Sequence, residues 1–201
     1  MDLDTTQLFA LAAALGWASG LRLYAVVFLT GLAGLLGWVE LPQGLRVLQQ
    51  PLLLGASGLM LAVEFFADKV PGLDSIWDTV QTFIRIPAGA MLAAGVFGGD
   101  QASWTLIAAL MGGTLAATSH IAKASTRAAV NTSPEPFSNI TLSLLGDAAV
   151  PAMLWLAWQH PVWFFAALAA ALALMVALIV LLAKFVRGLL RRRPKAAESA
   201  T

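Results

Sequence analysis

Nine ionisable side chains lie in or beside apolar stretches of this chain: Arg22, Glu64, Asp68, Asp74, Asp78, His120, Lys123, Arg127 and Asp147. A charged group at membrane depth costs on the order of 2.5–3.5 kcal/mol on insertion scales, so such groups gather around one another or around something polar. Asp74 and Asp78 are one helical turn apart. With Asp68 they could hold a hard cation such as Mg²⁺ through oxygen ligands. The competing reading is a solvated face that pairs with Lys69 and Arg85. His120, Lys123 and Arg127 share one face if their segment is helical, and could bind a phosphate or lipid headgroup. Alternatively they are flanking charges that fix orientation. Arg22 has apolar residues on both sides, so a pairing with Glu64 or Asp147 is expected. Asp147 sits in mid-stretch between Gly146 and Pro151, where intramembrane acids mark ion or proton paths. The bland alternative is a carboxyl kept neutral or bonded to a neighbouring helix. His120 and His160 are the two histidines, and the topology argued below puts them on opposite sides. A shared metal site is therefore disfavoured.

These residues interrupt a strongly apolar chain. Of 201 residues, 59% are hydrophobic and 11% charged, with a mean hydropathy of +0.80. Soluble proteins carry about 25% charged residues. A hydrocarbon core of about 30 Å needs about 20 helical residues. Residues 161–185 meet that standard cleanly. The remaining apolar stretches are 8–38, 51–66, 84–97, 103–118 and 137–158. Gly20 and Arg22 divide the first into two arms, 8–18 and 23–38; one long tilted helix is the alternative. In residues 67–85, Leu73, Ile76, Trp77, Val80 and Ile84 recur at helical spacing opposite Asp74, Asp78, Gln81 and Arg85. The pattern predicts an amphipathic helix lying at, or re-entering from, the cytoplasmic interface. Pro71 suits its first turn. The run Asn131-Thr132-Ser133-Pro134-Glu135-Pro136 predicts a turn. Residues 18–21 and 118–121 each interrupt a long apolar stretch, the cue for an inverted repeat.

Charge sets the orientation. Arg187, Arg191, Arg192, Arg193 and Lys195 follow the last apolar stretch, which reads as a topology signal rather than a nucleic-acid patch. With that tail in the cytoplasm, Lys69, Arg85, Lys123 and Arg127 fall inside, and Trp38, Trp104, Trp158 and Trp163 form an outer aromatic belt. The acidic start, Met1-Asp2-Leu3-Asp4, lacks the basic region of a secretory signal, so the first apolar stretch is expected to stay in the mature protein. Absence of cysteine excludes disulfides, thiol catalysis and cysteine metal sites.

Several motifs together resemble a known family. They are residues 18–22 (Ala-Ser-Gly-Leu-Arg), 66–78 (Phe-Ala-Asp-Lys-Val-Pro-Gly-Leu-Asp-Ser-Ile-Trp-Asp), 85–90 (Arg-Ile-Pro-Ala-Gly-Ala), 119–124 (Ser-His-Ile-Ala-Lys-Ala) with Arg127, and 131–136. The chain is similar to the uncharacterised multi-pass membrane proteins, mostly bacterial, grouped as domain of unknown function 4126. The resemblance implies an integral membrane protein and transfers no activity.

The expectation is an all-α polytopic membrane protein of about six spans, with short, broken or re-entrant helices on the cytoplasmic half. Residues 1–186 form one helical membrane domain, and 187–201 a basic, disordered cytoplasmic tail. The expected location is a bacterial inner membrane, with the C-terminus cytoplasmic. The leading function is a small transporter or carrier for an ion, a proton-coupled solute or an anionic headgroup, with Arg22, Glu64, Asp147, His120, Lys123 and Arg127 as its path. Alternatives are a membrane enzyme using Mg²⁺ at Asp68, Asp74 and Asp78 on a lipid phosphate, and a non-catalytic assembly protein. Expected partners are the lipid bilayer, a small ion or anionic ligand and a second copy in a homodimer, with no nucleic acid.

Overall fold

The structure is a computed structural model and describes residues 3–70, 72–98, 101–131 and 136–191. These residues form α1 (Thr5–Leu35), a short 3₁₀ helix (Gln43–Gln49), α2 (Pro51–Ala67), α3 (Leu73–Gly95), α4 (Ala102–Val130), α5 (Pro136–Gln159) and α6 (Pro161–Arg191), with no strand among them. Four helices are long and apolar enough to cross a membrane: Thr5–Leu35, Ala102–Val130, Phe137–Gln159 and Pro161–Gly188. The 3₁₀ helix and α2, bent by 70°, make a fifth if they form one broken span.

α1 is the core. Asp4 caps it through a reciprocal capping box with Gln7. It is apolar all round, and every residue from Ala10 to Gly20 is buried. The chain breaks where the sequence predicts. Arg22 has non-helical backbone angles (φ −146°, ψ 76°) and marks a kink between two helical arms of α1. Ahead of the break, Phe9 meets Phe97 and Trp104, with ring centroids 5.0 and 5.5 Å apart. Beyond it, Gly31 lies against Leu48 of the 3₁₀ helix, whose Gly44 and Leu45 lie against Gly95. Both ends of α1 are thus tied to the C-terminal end of α3.

Glycines allow the closest approaches. A Cβ on Gly16 would collide with the backbone of Gly112, and one on Gly112 with Ala93 and the backbone of Gly89. α1, α3 and α4 therefore meet nearly backbone to backbone, the small-residue packing of membrane helices.

Other expected interruptions are continuous helix. α4 runs through Ser119 and His120, and α5 runs through Asp147 and Pro151. Their polar side chains find partners on neighbouring helices, so the backbone has no reason to break. The predicted amphipathic helix and the apolar stretch after it are likewise one helix, α3, which carries Pro87 on an exposed face. Proline is tolerated in such helices because neighbours satisfy the freed carbonyl. α6 buries only a thin stripe that includes Phe164 and Leu168 and presents the rest of its apolar surface outward. It runs on past Val186 to Arg191. The remaining tail, Pro71, Asp100 and residues 132–135 of the predicted turn lie outside the described residues.

Candidate functional site

α3 faces the wrong way for a protein in water. Asp74, Asp78, Gln81 and Arg85 recur at helical spacing and are all buried, whereas Ile76, Val80 and Phe83 are 66, 56 and 82% exposed. This overturns the reading of the acidic face as solvated: the polar face packs inward and the apolar face points out. Such an inversion suits a lipid surrounding.

The buried face belongs to one connected network. Asp68, which ends α2, receives three cations: Arg22 Nη1 at 2.7 Å, Lys123 Nζ at 2.9 Å and Arg127 Nη1 at 3.1 Å. Lys123 also reaches Asp78 at 3.1 Å, and Arg127 reaches Asp74 at 3.5 Å and Asp78 at 3.8 Å. Arg85 joins Asp78, at 2.9 Å, to the carboxylate of Glu64. Arg22 extends the network to α5 through Asp147 Oδ1 at 2.7 Å, and Lys69 meets the other oxygen of Asp147 at 3.4 Å. Five cations (Arg22, Lys69, Arg85, Lys123, Arg127) thus face five carboxylates (Glu64, Asp68, Asp74, Asp78, Asp147). The formal charges cancel.

Local structure places these groups. The break at Arg22 interrupts the hydrogen-bond ladder of α1, and Lys123 donates to the carbonyl of Leu21 at 3.1 Å. Ser119 donates to the carbonyl of Trp17 at 2.7 Å. The two interruptions in the sequence therefore touch each other. Asp74 accepts from Gly72 N and Ser75 N at the start of α3, and its carboxylate also receives Asn131 and Asn139 Nδ2 at 3.0 Å. His120 lies between Thr82, 2.7 Å from Nε2, and Arg85, 3.3 Å from Nδ1.

Arg22 pairs with Asp147 as expected, but it touches Glu64 only at the backbone carbonyl, 3.4 Å away, because Arg85 takes that carboxylate. Sequence reasoning paired Arg85 with the acidic face, as it does pair with Asp78, but on a solvated surface; it gave Lys69 the same partners, whereas Lys69 meets Asp147, and it missed Ser143, Asn131 and Asn139 as network members. Ser143 accepts from Arg22 at 2.8 Å. A polar stripe in so apolar a chain was the available signal for Arg85. Asp68, Asp74 and Asp78 point at cations, and among the described residues no group of three or more His, Cys, Asp or Glu side chains could hold a metal ion.

Beside the network lies a cavity of about 310 Å³. Arg22, Asp68, Lys123 and Arg127 line its charged end, while Leu145, Ala149, Leu174 and Met175 of α5 and α6 line the other walls.

A family model described as a domain of unknown function (DUF4126) matches residues 9–181. The chain belongs to that family. No curated protein and no solved structure matches it. The stretch matched as DUF4126 contains all ten charged members of the network and every residue that lines the cavity.

Proposed function

We propose that this DUF4126 protein is a small membrane carrier for an anion, with the ion-pair network as its path and the Arg22–Asp147 contact as the element that opens. The observation that carries this reading is the convergence of five buried or half-buried cations and five carboxylates, drawn from five segments, beside a cavity. A network built for stability alone is a poor investment in lipid, since well-packed apolar residues of similar volume serve as well or better. A balanced network next to a void has another use. An incoming anion can take the place of Asp147 on Arg22 while Lys69 still holds the displaced carboxylate, and the added negative charge is balanced by a proton or cation that enters with it. Asp147 is the carboxylate best placed to yield: its side chain is 23% exposed, and those of Glu64, Asp68 and Asp74 are wholly buried.

In this reading α1 is a re-entrant pair of arms with Arg22 at the inner tip, and α2 to α6 cross the bilayer. The arms, residues 5–21 and 23–35, reach roughly 26 and 20 Å at 1.5 Å per residue. Both fall short of a hydrocarbon core of about 30 Å, so the tip stays at membrane depth. The basic end of α6 supports a cytoplasmic C-terminus, and the family resemblance supports a bacterial inner membrane.

The test is flux. Full-length protein in liposomes is expected to move at least one of a panel of labelled anions, inorganic phosphate among them, and Asp147→Asn to abolish that flux while the protein remains folded. Absence of any anion movement, or wild-type rates in Asp147→Asn, would overturn the reading.

A further inference from the structure

Arg22, Lys123, Arg127 and Asp68 line the charged end of the cavity, so an anionic group that displaces a carboxylate there meets three cations. The remaining walls select differently. Leu145 and Leu174 line the cavity, yet they are 61 and 62% exposed on the outer surface of α5 and α6. The cavity wall is therefore continuous with the lipid-facing surface. A fully hydrated free anion gains nothing from leucine and methionine walls and loses its water against them. A molecule with an anionic head and an apolar tail satisfies both ends at once. Ligand pockets begin at about 300 Å³, so this volume suits a head and the first part of one chain rather than a whole two-chain lipid.

We infer that the cavity between α1, α4, α5 and α6 is a lateral site for an anionic amphiphile: the head lies against Arg22, Lys123 and Arg127, and the tail leaves between α5 and α6 into the bilayer. This inference rests on the carrier reading and names its substrate class. The head enters beside Ser143 and Gly146, where Arg22 holds Asp147.

Gly146 offers a test that removes no charge. A Cβ there would sit 3.8 Å from Arg22 Nε, in ordinary contact, so Gly146→Ala fits, while Gly146→Leu fills the cavity beside the guanidinium. The full-length protein is extracted from mixed phosphatidylglycerol and phosphatidylcholine vesicles and examined by native mass spectrometry. The wild type is expected to retain phosphatidylglycerol about tenfold over phosphatidylcholine, equivalent to about 1.4 kcal/mol, and Gly146→Leu to lose that preference. If Gly146→Leu does not accumulate, Leu174→Trp narrows the same cavity from α6. Equal retention of the two lipids overturns the inference, as does a preference unchanged by both filling variants. Displacement of the lipid by inorganic phosphate reassigns the site to a free anion and also overturns it. Flux of a soluble anion without lipid preference leaves the carrier reading standing; lipid preference without any flux overturns the carrier reading alone.

Discussion

Arg22 Nη2 and Asp147 Oδ1 lie 2.7 Å apart and join the break in α1 to the middle of α5. The same nitrogen donates to the carbonyl and the hydroxyl of Ser143, one turn before Asp147. One guanidinium thus fixes how α5 sits against α1. Asp147→Asn keeps the shape and removes the charge, while Ser143 and Asp68 still hold Arg22. The expected result is a melting temperature in detergent close to wild type, with a loss of stability nearer 1 than 5 kcal/mol because Asp147 is partly exposed. A collapse in stability would make the contact a structural strut.

Arg85 is a different case. It is wholly buried between Glu64 and Asp78. Arg85→Met leaves two carboxylates short of a partner and is expected to destabilise the fold by about 3–5 kcal/mol. Adding Glu64→Leu removes the stranded carboxylate, since Asp78 keeps Lys123 at 3.1 Å, and recovers part of the loss. A double-mutant cycle read from melting curves checks this; additive losses would mean that the pair is not coupled.

The glycine junction makes a contrasting pair of predictions. Gly16→Ala forces a methyl group onto the backbone of Gly112 and is expected to cost about 1–3 kcal/mol through overpacking. Gly55→Ala, in α2, meets nothing within 4 Å and is expected to be neutral or to gain up to about 1 kcal/mol from helix propensity. Thermal unfolding of the two variants side by side is the measurement.

The inverted face of α3 can be probed directly, since the chain has no cysteine of its own. Phe83→Cys is expected to react with a membrane-permeant apolar maleimide and to resist a charged one in intact membranes. Rapid labelling by the charged reagent would place that face in water.

How much of this was legible follows one rule. The helical periodicity of 73–85 correctly separated a polar from an apolar face, but periodicity does not say which face turns inward. In water the polar face would be outside; here it is the buried one, and with it Arg85 passes from surface charge to core. The break at Arg22 was legible because a lone charge in a long apolar stretch has no local remedy. The segment from Ser119 to Lys123 and the site of Asp147 looked like breaks for the same reason, yet helix continues through each. For Ser119 and His120 the remedy comes from across the fold, at Trp17, Thr82 and Arg85. Asn131 and Asn139 flank a proline-rich run of sequence and gave no signal until the fold brought both to Asp74.

The position of Arg22 near the start of the chain has a consequence for biogenesis. The ribosome makes this arginine before Asp68, and long before Asp147. The leading helix must therefore be held at the insertion machinery, or keep its guanidinium at the headgroups, until the acidic segments arrive. Synthesis interrupted before the end of the second helix would leave a half-built chain with this buried cation still unmatched. Quality-control proteases should clear such fragments fastest.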